Sequence, residues 1–413
     1  MRNLRIDGER LWDSLMEMAK IGALPGGGCR RLALGDEDKA GRDLFVAWCE
    51  AAGCTMSVDR IGNIFARRPG RDDARPPVMA GSHLDTQPHG GKFDGVYGVL
   101  AGLEVVRALN DAGIETDAPV EIAVWTNEEG ARFAPSMNGS GAFAGTYTID
   151  ESLACTDNEG LTIGQELDRI GYAGPRACPG SPVGAYFEAH IEQGPILEAE
   201  QKTIGVVLGG QGMYWYDVTV TGQDSHAGTT PMPRRRDAMA GAAAMVTAIR
   251  GLALDRAPDA VATVGEMAVS PNSRNTIAGR VDFTVDLRHP VTATLDEMAA
   301  AFRAGCQEIA DVDGLELAIV QVADTPPIDF DGDCIDAVRS TAAALGYGHR
   351  DMVSGAGHDA FHLAKVAPTG MIFIPCADGL SHNEAESATA ADLEAGCNVL
   401  LHAILDRAGV VSS

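Results

Sequence analysis

The chain of 413 residues carries 58 acidic against 32 basic side chains, a formal charge of −26, and a field of that sign excludes nucleic acid and anionic membrane surfaces as partners. Its length exceeds one ordinary core and predicts two or three domains. Apolar residues make up 45%, enough for large cores, yet no apolar run approaches the ~20 residues that a membrane-spanning helix needs.

The first 22 residues place Leu11, Trp12, Leu15 and Met18 at helical spacing among alternating charges, an amphipathic helix in place of the apolar block of a signal peptide. Nine cysteines without a Cys-x-x-Cys pair suit reduced thiols better than a disulfide framework, so the cytoplasm is the expected compartment. Val78 to Ala80 reads as a buried strand that delivers His83 and Asp85 to its end; Asp94 follows on a Gly-rich loop opening a helix with Val99, Leu103 and Val106 on one stripe. Such residues stand at the carboxyl edge of an α/β sheet, where ligands bind. An imidazole and a carboxylate are ligands for zinc or a similar divalent ion, with Asp85 placed to fix the His83 ring. Taken alone, this stretch reads equally well as a satisfied strand end.

From about residue 40 to 210, strand-like and helix-like stretches alternate as in α/β sheets. Val120 to Thr126 runs into Asn127-Glu128-Glu129-Gly130, and Ala185 to Ile191 delivers His190 ahead of Glu192-Gln193-Gly194. Gly209-Gly210-Gln211-Gly212 then interrupts the chain, and the order becomes strand 214–222, helix 234–252, strand 261–269, strand 281–288, helix 294–311 and strand 315–322. That is βαββαβ, the ferredoxin-like arrangement. Val281, Phe283, Val285 and Leu287 alternate with Asp282, Thr284, Asp286 and Arg288, which predicts one packed and one exposed face. After Thr325-Pro326-Pro327 the strand Met371 to Pro375 and a helix near 390–407 resume the first pattern. The expected architecture is an α/β catalytic domain, 1–211 and 326–413, with a mixed central sheet flanked by helices. The insert 212–325 divides it, with hinges at 209–212 and 323–328.

Glu128 and Glu129 form a carboxylate pair that resists joint ionisation and that a metal would relieve; the other reading is a solvated acidic loop. If Glu129 coordinates, Glu128 is free to take the proton of the attacking water. His190 ends an apolar strand and His382 lies in Gly379-Leu380-Ser381-His382-Asn383-Glu384. His83, Asp94, Glu129, His190 and His382 then make five ligands, a number that suits two divalent ions sharing one carboxylate, with Asp94 as the bridge. His358 and His362 have helical metal-pair spacing but no third ligand, so His358 is read near the substrate and His362 as packed. His89 and His289 stand beside turn residues and are expected to face solvent; Arg234-Arg235-Arg236 reads as a solvated helix start. An anionic small substrate would need a local cation to overcome the global field.

The stretches GSHLDTQPHGGKFDGVYG, TNEEGARF, AHIEQGP, DSHAGTTPMPRRRDA, SPNSRNTIAGRVDFTVDLR and GLSHNEAE together resemble the N-carbamoyl-L-amino acid hydrolase, ureidopropionase and allantoate amidohydrolase branch of the metallo-aminoacylase and carboxypeptidase superfamily. The resemblance implies a di-metal site of His83, Asp94, Glu129, His190 and His382, with Glu128 as general base, in agreement with the ligands chosen on chemistry and with Asp85 as the residue that fixes His83. It further implies that Gln193, Asn275, Arg288, Gly357 and His358 contact substrate, Arg288 clamping a carboxylate. The insert becomes a dimerisation and lid domain of a homodimer, His226 of Asp224-Ser225-His226-Ala227-Gly228 reaching the partner subunit's active site.

The implied reaction is cleavage of the ureido C–N bond of an N-carbamoyl-L-amino acid to amino acid, carbon dioxide and ammonia. Allantoate or β-ureidopropionate hydrolysis, a dipeptidase or aminoacylase, and a metal-dead dimeric binding protein are the alternatives. Zinc is the first expectation for the ions, and manganese, cobalt or nickel suit the same donors. Gly139-Ser140-Gly141, with a second glycine where relatives often carry a side chain, predicts an unusually open pocket wall.

Overall fold

In the computed structural model, which describes residues 3–411, the chain begins with α1 (Gly8–Met18) and α2 (Asp36–Ala51) and then lays down six strands around α3 (Val96–Asp111). These are β1 (Thr55–Val58), β2 (Ile64–Arg68), β3 (Val78–His83), β4 (Val120–Trp125), β5 (Ala185–Ile191) and β6 (Ile204–Gly210). A second set follows: β7 (Gly212–Thr221), β8 (Ser225–His226), β9 (Val261–Thr263), β10 (Met267–Ser270), β11 (Thr276–Ile277), β12 (Arg280–His289) and β13 (Glu316–Thr325). The last strands are β14 (Ile328–Asp329), β15 (His349–Ser354) and β16 (Thr369–Ile374). The chain divides into two units, each with its own core: one runs to Gly209 and resumes at Asp329, the other is Gly210–Ile328.

The sheet of the first unit has the order β1-β2-β4-β3-β5-β16-β6-β14, with β15 pairing β6. Its centre, β4-β3-β5-β16, is parallel, and antiparallel pairs flank it, so the sheet is mixed. Every residue of the four central strands is buried, as parallel strands covered on both faces must be. α3 packs on β3 and β5 with apolar residues almost all round its surface, because it is itself enclosed. Gly98 permits the close approach, since a Cβ there would come within 2.5 Å of the Ala189 carbonyl oxygen. The parallel centre points the carboxyl ends of β3, β4, β5 and β16 the same way. His83, the Glu128-Glu129 turn, His190 and the loop bearing His382 all follow from those ends.

In the second unit the strand order β10-β12-β7-β13 is antiparallel throughout. Together with the helices Ala238–Leu254 and Thr292–Asp313 it is the βαββαβ arrangement with order 2-3-1-4. Val281, Phe283, Val285 and Leu287 are buried while the residues between them are not fully covered, as their alternation requires. The single strand expected over 261–269 is two, β9 and β10, which pair with β12 at Thr263↔Asp286 and Met267↔Phe283. Between those pairs one strand advances one residue more than the other, a bulge that breaks the run near Gly265. The helix expected from 234 starts at Ala238, because the Asp237 carboxylate accepts from the Met239 and Ala240 N–H groups and caps it there. Arg236 reaches Glu316, and Arg235 donates to the Thr230 and Ala227 carbonyls. His289, expected to face solvent, is buried at the end of β12, its Nδ1 accepting from the Val291 N–H at 3.0 Å.

Candidate metal centre

His83 is 2% exposed. Its Nδ1 lies 2.8 Å from the Asp85 carbonyl, so Nδ1 carries the proton and Nε2 presents a lone pair. His190 repeats the device: Nδ1 is 2.8 Å from the Ile191 carbonyl, and Nε2 accepts from the Gly95 N–H at 3.1 Å. Both bare nitrogens face Asp94 Oδ1, at 3.6 Å from His83 and 3.1 Å from His190. Asp94 Oδ2 lies 3.6 Å from His382 Nε2, which is itself 3.3 Å from Glu129 Oε2. Among the described residues three groups of potential ligand atoms occur; two of them, His83-Asp94-His190 and Asp94-Glu129-His382, share Asp94, and the third, Glu188-His190-His358, shares His190 with the first.

The donor set fits divalent ions. A nitrogen lone pair facing a carboxylate oxygen is repulsive unless a proton or a metal ion lies between them, and no Lys or Arg among the described residues lines the cavity of about 160 Å³ around these groups. The electrostatics report the same deficit of positive charge. Burial disfavours charge on His83, yet Glu128, Asp94, Asp85 and Glu129 push its pKa well above the usual range. Burial lifts Glu128 well above the ordinary glutamate, with Asp359 and Glu129 adding to it against His83. Burial and then Asp94 push Glu129 up to about 8. Glu128, Glu129 and His83 alike are pushed toward holding protons, which is the response of a buried cluster short of positive charge and one that divalent ions would relieve. A larger surface groove of about 750 Å³ beside α1 and α2 is lined by Asp7, Glu9, Arg10, Asp13, Trp48 and Arg107, and none of the candidate ligand groups among the described residues lies there.

Glu128 Oε2 is 3.5 Å from His83 Nε2 but belongs to none of these ligand groups. Asp85 acts differently from expectation: its backbone carbonyl fixes the His83 ring, and its carboxylate accepts from the Glu128 N–H at 3.3 Å and the Glu129 N–H at 3.2 Å. Gln193 has φ 58° and donates from Nε2 to Asp94 Oδ2 at 2.8 Å, leaving its buried Oε1 without a hydrogen-bond partner. Gly357 and His358 line the cavity. The His358 ring packs edge-on against His190 with centroids 4.6 Å apart, its Nε2 faces Ser354 Oγ at 3.0 Å, and burial followed by His190 drives its pKa well below the usual range. His362 is packed against Tyr147 and Thr146, and burial lowers its pKa to about 4. The wall at Gly141 is not open, because a Cβ there would meet the Tyr147 ring at 2.4 Å.

His226, Asn275 and Arg288 belong to the second unit. β8 pairs with β11 at His226↔Thr276, and the Ala227 N–H donates to the Asn275 carbonyl, so His226 and Asn275 are neighbours on one ribbon. His226 Nδ1 accepts from the Gly228 and Thr229 N–H groups, which leaves Nε2–H as a donor on an exposed ring. Arg288 forms a two-pronged pair with Asp286, two residues earlier on the same strand, at 2.8 to 3.1 Å. Ser381 and Glu386, which the sequence reading passed over although both lie in GLSHNEAE, contact Asp94 directly.

The profile of the peptidase family M20/M25/M40 matches residues 79–406. An N-carbamoyl-L-amino-acid amidohydrolase of Rhizobium meliloti is 51% identical over 99% of this chain and 98% of its own. One of Geobacillus stearothermophilus is 39% identical over 97% and 98%. The crystal structure of an amidase of the hydantoinase/carbamoylase family from Burkholderia multivorans is 60% identical, covers 98% of both chains and superposes with a TM-score of 0.96. A buried histidine–carboxylate cluster at the carboxyl edge of this mixed sheet, and full-length identity at that level, place the chain in the peptidase family M20/M25/M40, within its N-carbamoyl-L-amino-acid amidohydrolase branch.

Proposed function

We infer that this chain is a metal-dependent amidohydrolase that cleaves the ureido C–N bond of N-carbamoyl-L-amino acids, releasing the amino acid, carbon dioxide and ammonia. The observation that carries the chemistry is the pair of ligand groups sharing Asp94, with Glu128 beside them and in neither. In this reading His83, Asp94 and His190 would hold one divalent ion and Asp94, Glu129 and His382 a second; zinc, manganese, cobalt and nickel all suit the donors, and the chemistry they would supply is polarisation of the carbamoyl carbonyl and a lowered pKa of the attacking water. Glu128 takes that proton and delivers it to the leaving nitrogen. Asp85 holds the backbone that sets Glu128 and Glu129 apart. The unpartnered Oε1 of Gln193 is an acceptor for ureido N–H groups, which supports a ureido substrate, and Gly357 and His358 close the cavity around it.

From the second unit, Arg288 binds the substrate carboxylate, and His226 with Asn275 supplies donors to the carbonyl oxygen. The protein acts as a homodimer, the partner subunit's His226 completing each site. An edge strand β13 with Val320 57% exposed, and Trp215 43% exposed on the adjoining β7, support an interface on this unit. Nine free cysteines support a reducing, cytoplasmic setting. The test is a turnover screen of N-carbamoyl-L-amino acids, carbamoyl-β-alanine and allantoate, with zinc, manganese, cobalt or nickel restored to the metal-free protein. Ammonia released in step with the amino acid is the expected result. Turnover of dipeptides or N-acyl amino acids alone, without ammonia, would replace this reading by a peptidase or aminoacylase.

A further inference from the structure

We propose that Glu386 is a positioning residue that locks Asp94 to the loop carrying His382 and thereby sets the second ion-binding position. The proposal rests on the two-ion reading above. Glu386 is 3% exposed, and its Oε1 accepts from the Phe93 N–H at 2.9 Å and the Asp94 N–H at 3.1 Å. Its Oε2 lies 3.3 Å from Ser381 Oγ, and Ser381 in turn donates to Asp94 Oδ2 at 2.6 Å. One side chain therefore holds the backbone of Asp94 directly and stands beside Ser381, whose single hydroxyl proton goes to the Asp94 carboxylate. The fit is close: a Cβ on Gly91 would fall 2.0 Å from Glu386 Cδ, so only glycine admits this carboxylate beneath the 91–95 loop.

His382 needs such support more than the other four ligands. Its side chain is 50% exposed, against 1 to 6% for His83, Asp94, Glu129 and His190, so its own packing does little to place it. Its position follows from its loop, which is closed by the Ala377 N–H to the Ser387 carbonyl at 2.8 Å and by the Glu386 N–H to the Asn383 carbonyl at 3.0 Å. Glu386 stands where that loop meets Asp94, 292 residues away in sequence. Removing it leaves two buried N–H groups unpaired and frees the distance between Asp94 and His382, while the contacts of His83 and His190 remain.

The experiment is a titration of metal-free protein with cobalt(II), followed by its visible absorption and by equilibrium dialysis. Wild type is expected to take up two ions. Glu386→Ala should bind the first, which keeps His83 and His190, with the smaller loss and the second, which also depends on the His382 loop, about tenfold or more weakly, the usual scale for groups that orient ligands. Glu386→Gln, whose carbonyl oxygen can still accept from Phe93 and Asp94, should recover the second ion, which a merely space-filling role would not distinguish. If Glu386→Ala fails to fold, Ser381→Ala, which cuts only the link to the carboxylate, should show the same selective loss. Unchanged uptake of both ions by the folded variant overturns the proposal alone. A wild type that binds fewer than two ions overturns the two-ion reading and this proposal with it.

Discussion

Glu128 and Glu129 are adjacent carboxylates given different work by their surroundings. Glu129 Oε2 faces His382 and accepts from Gln87 Nε2 at 2.8 Å, within a ligand group; Glu128 faces only the flank of that arrangement, beside His83. Glu128→Gln is therefore expected to keep its metal and lose ~10²–10⁴-fold in turnover, the usual contribution of a general base. Glu129→Gln should instead lower metal content, measured by elemental analysis after gel filtration; the opposite pattern would exchange the two roles. Arg288 already pairs with Asp286 and its side chain is 29% exposed, so substrate carboxylate must compete for it. Replacing it by alanine removes the cation and should raise KM for an N-carbamoyl amino acid by a factor equivalent to the lower end of the ~2–5 kcal/mol range for a lost charge partner. The corresponding neutral amide should hardly respond. Equal losses for acid and amide would make Arg288 structural.

At the scale of elements, the site depends on how closely α3 begins behind β3. Gly95 precedes the helix at φ 66°, and a Cβ there would lie 2.3 Å from the His83 ring. Gly95→Ala is expected to displace His83 and lose the ion shared with His190, while far-UV circular dichroism stays that of the wild type because the core of α3 is untouched. Full metal occupancy in this variant would show that the helix start is not what positions His83. The same elements show what the sequence made legible. The buried central strands and the alternating β12 were readable because apolar runs and period-two patterns record burial directly, and each proposed ligand could be picked out where such a run meets a turn. Their convergence was expected from ligand chemistry and number alone and from no local pattern, since His382 and Asp94 meet only through tertiary folding. Glu386 was missed for that reason: its partners, Phe93 and Asp94, lie at the opposite end of the chain. The bulge near Gly265 and the burial of His289 escaped as well, because both arise from strand pairing with residues distant in sequence, for His289 with Gly212.

On the scale of the whole molecule, the proposed chemistry needs groups from both units, and the proposed dimer distributes them between two chains. His226 is suited to the donor role because its Nδ1 is occupied by the Gly228 and Thr229 N–H groups, which fixes the ring as an Nε2–H donor. Losing one donor to a developing oxyanion commonly lowers the rate by ~10²–10³-fold, so His226→Ala and Glu128→Gln should each give an inactive homodimer. The two variants are then combined, dissociated and reassociated, and the mixed dimer is purified through different tags on the two chains. If His226 serves the partner subunit's site, both lesions of a mixed dimer fall in the same site, and the other has an intact Glu128 and an intact His226. Activity returns. If each chain's His226 serves its own site, every site in the mixed dimer keeps one lesion and activity stays absent. Two-fold symmetry makes the outcomes mutually exclusive, because the two sites of a closed dimer are assembled by the same contact used twice. No recovery in a verified mixed dimer would remove His226 from the partner's site.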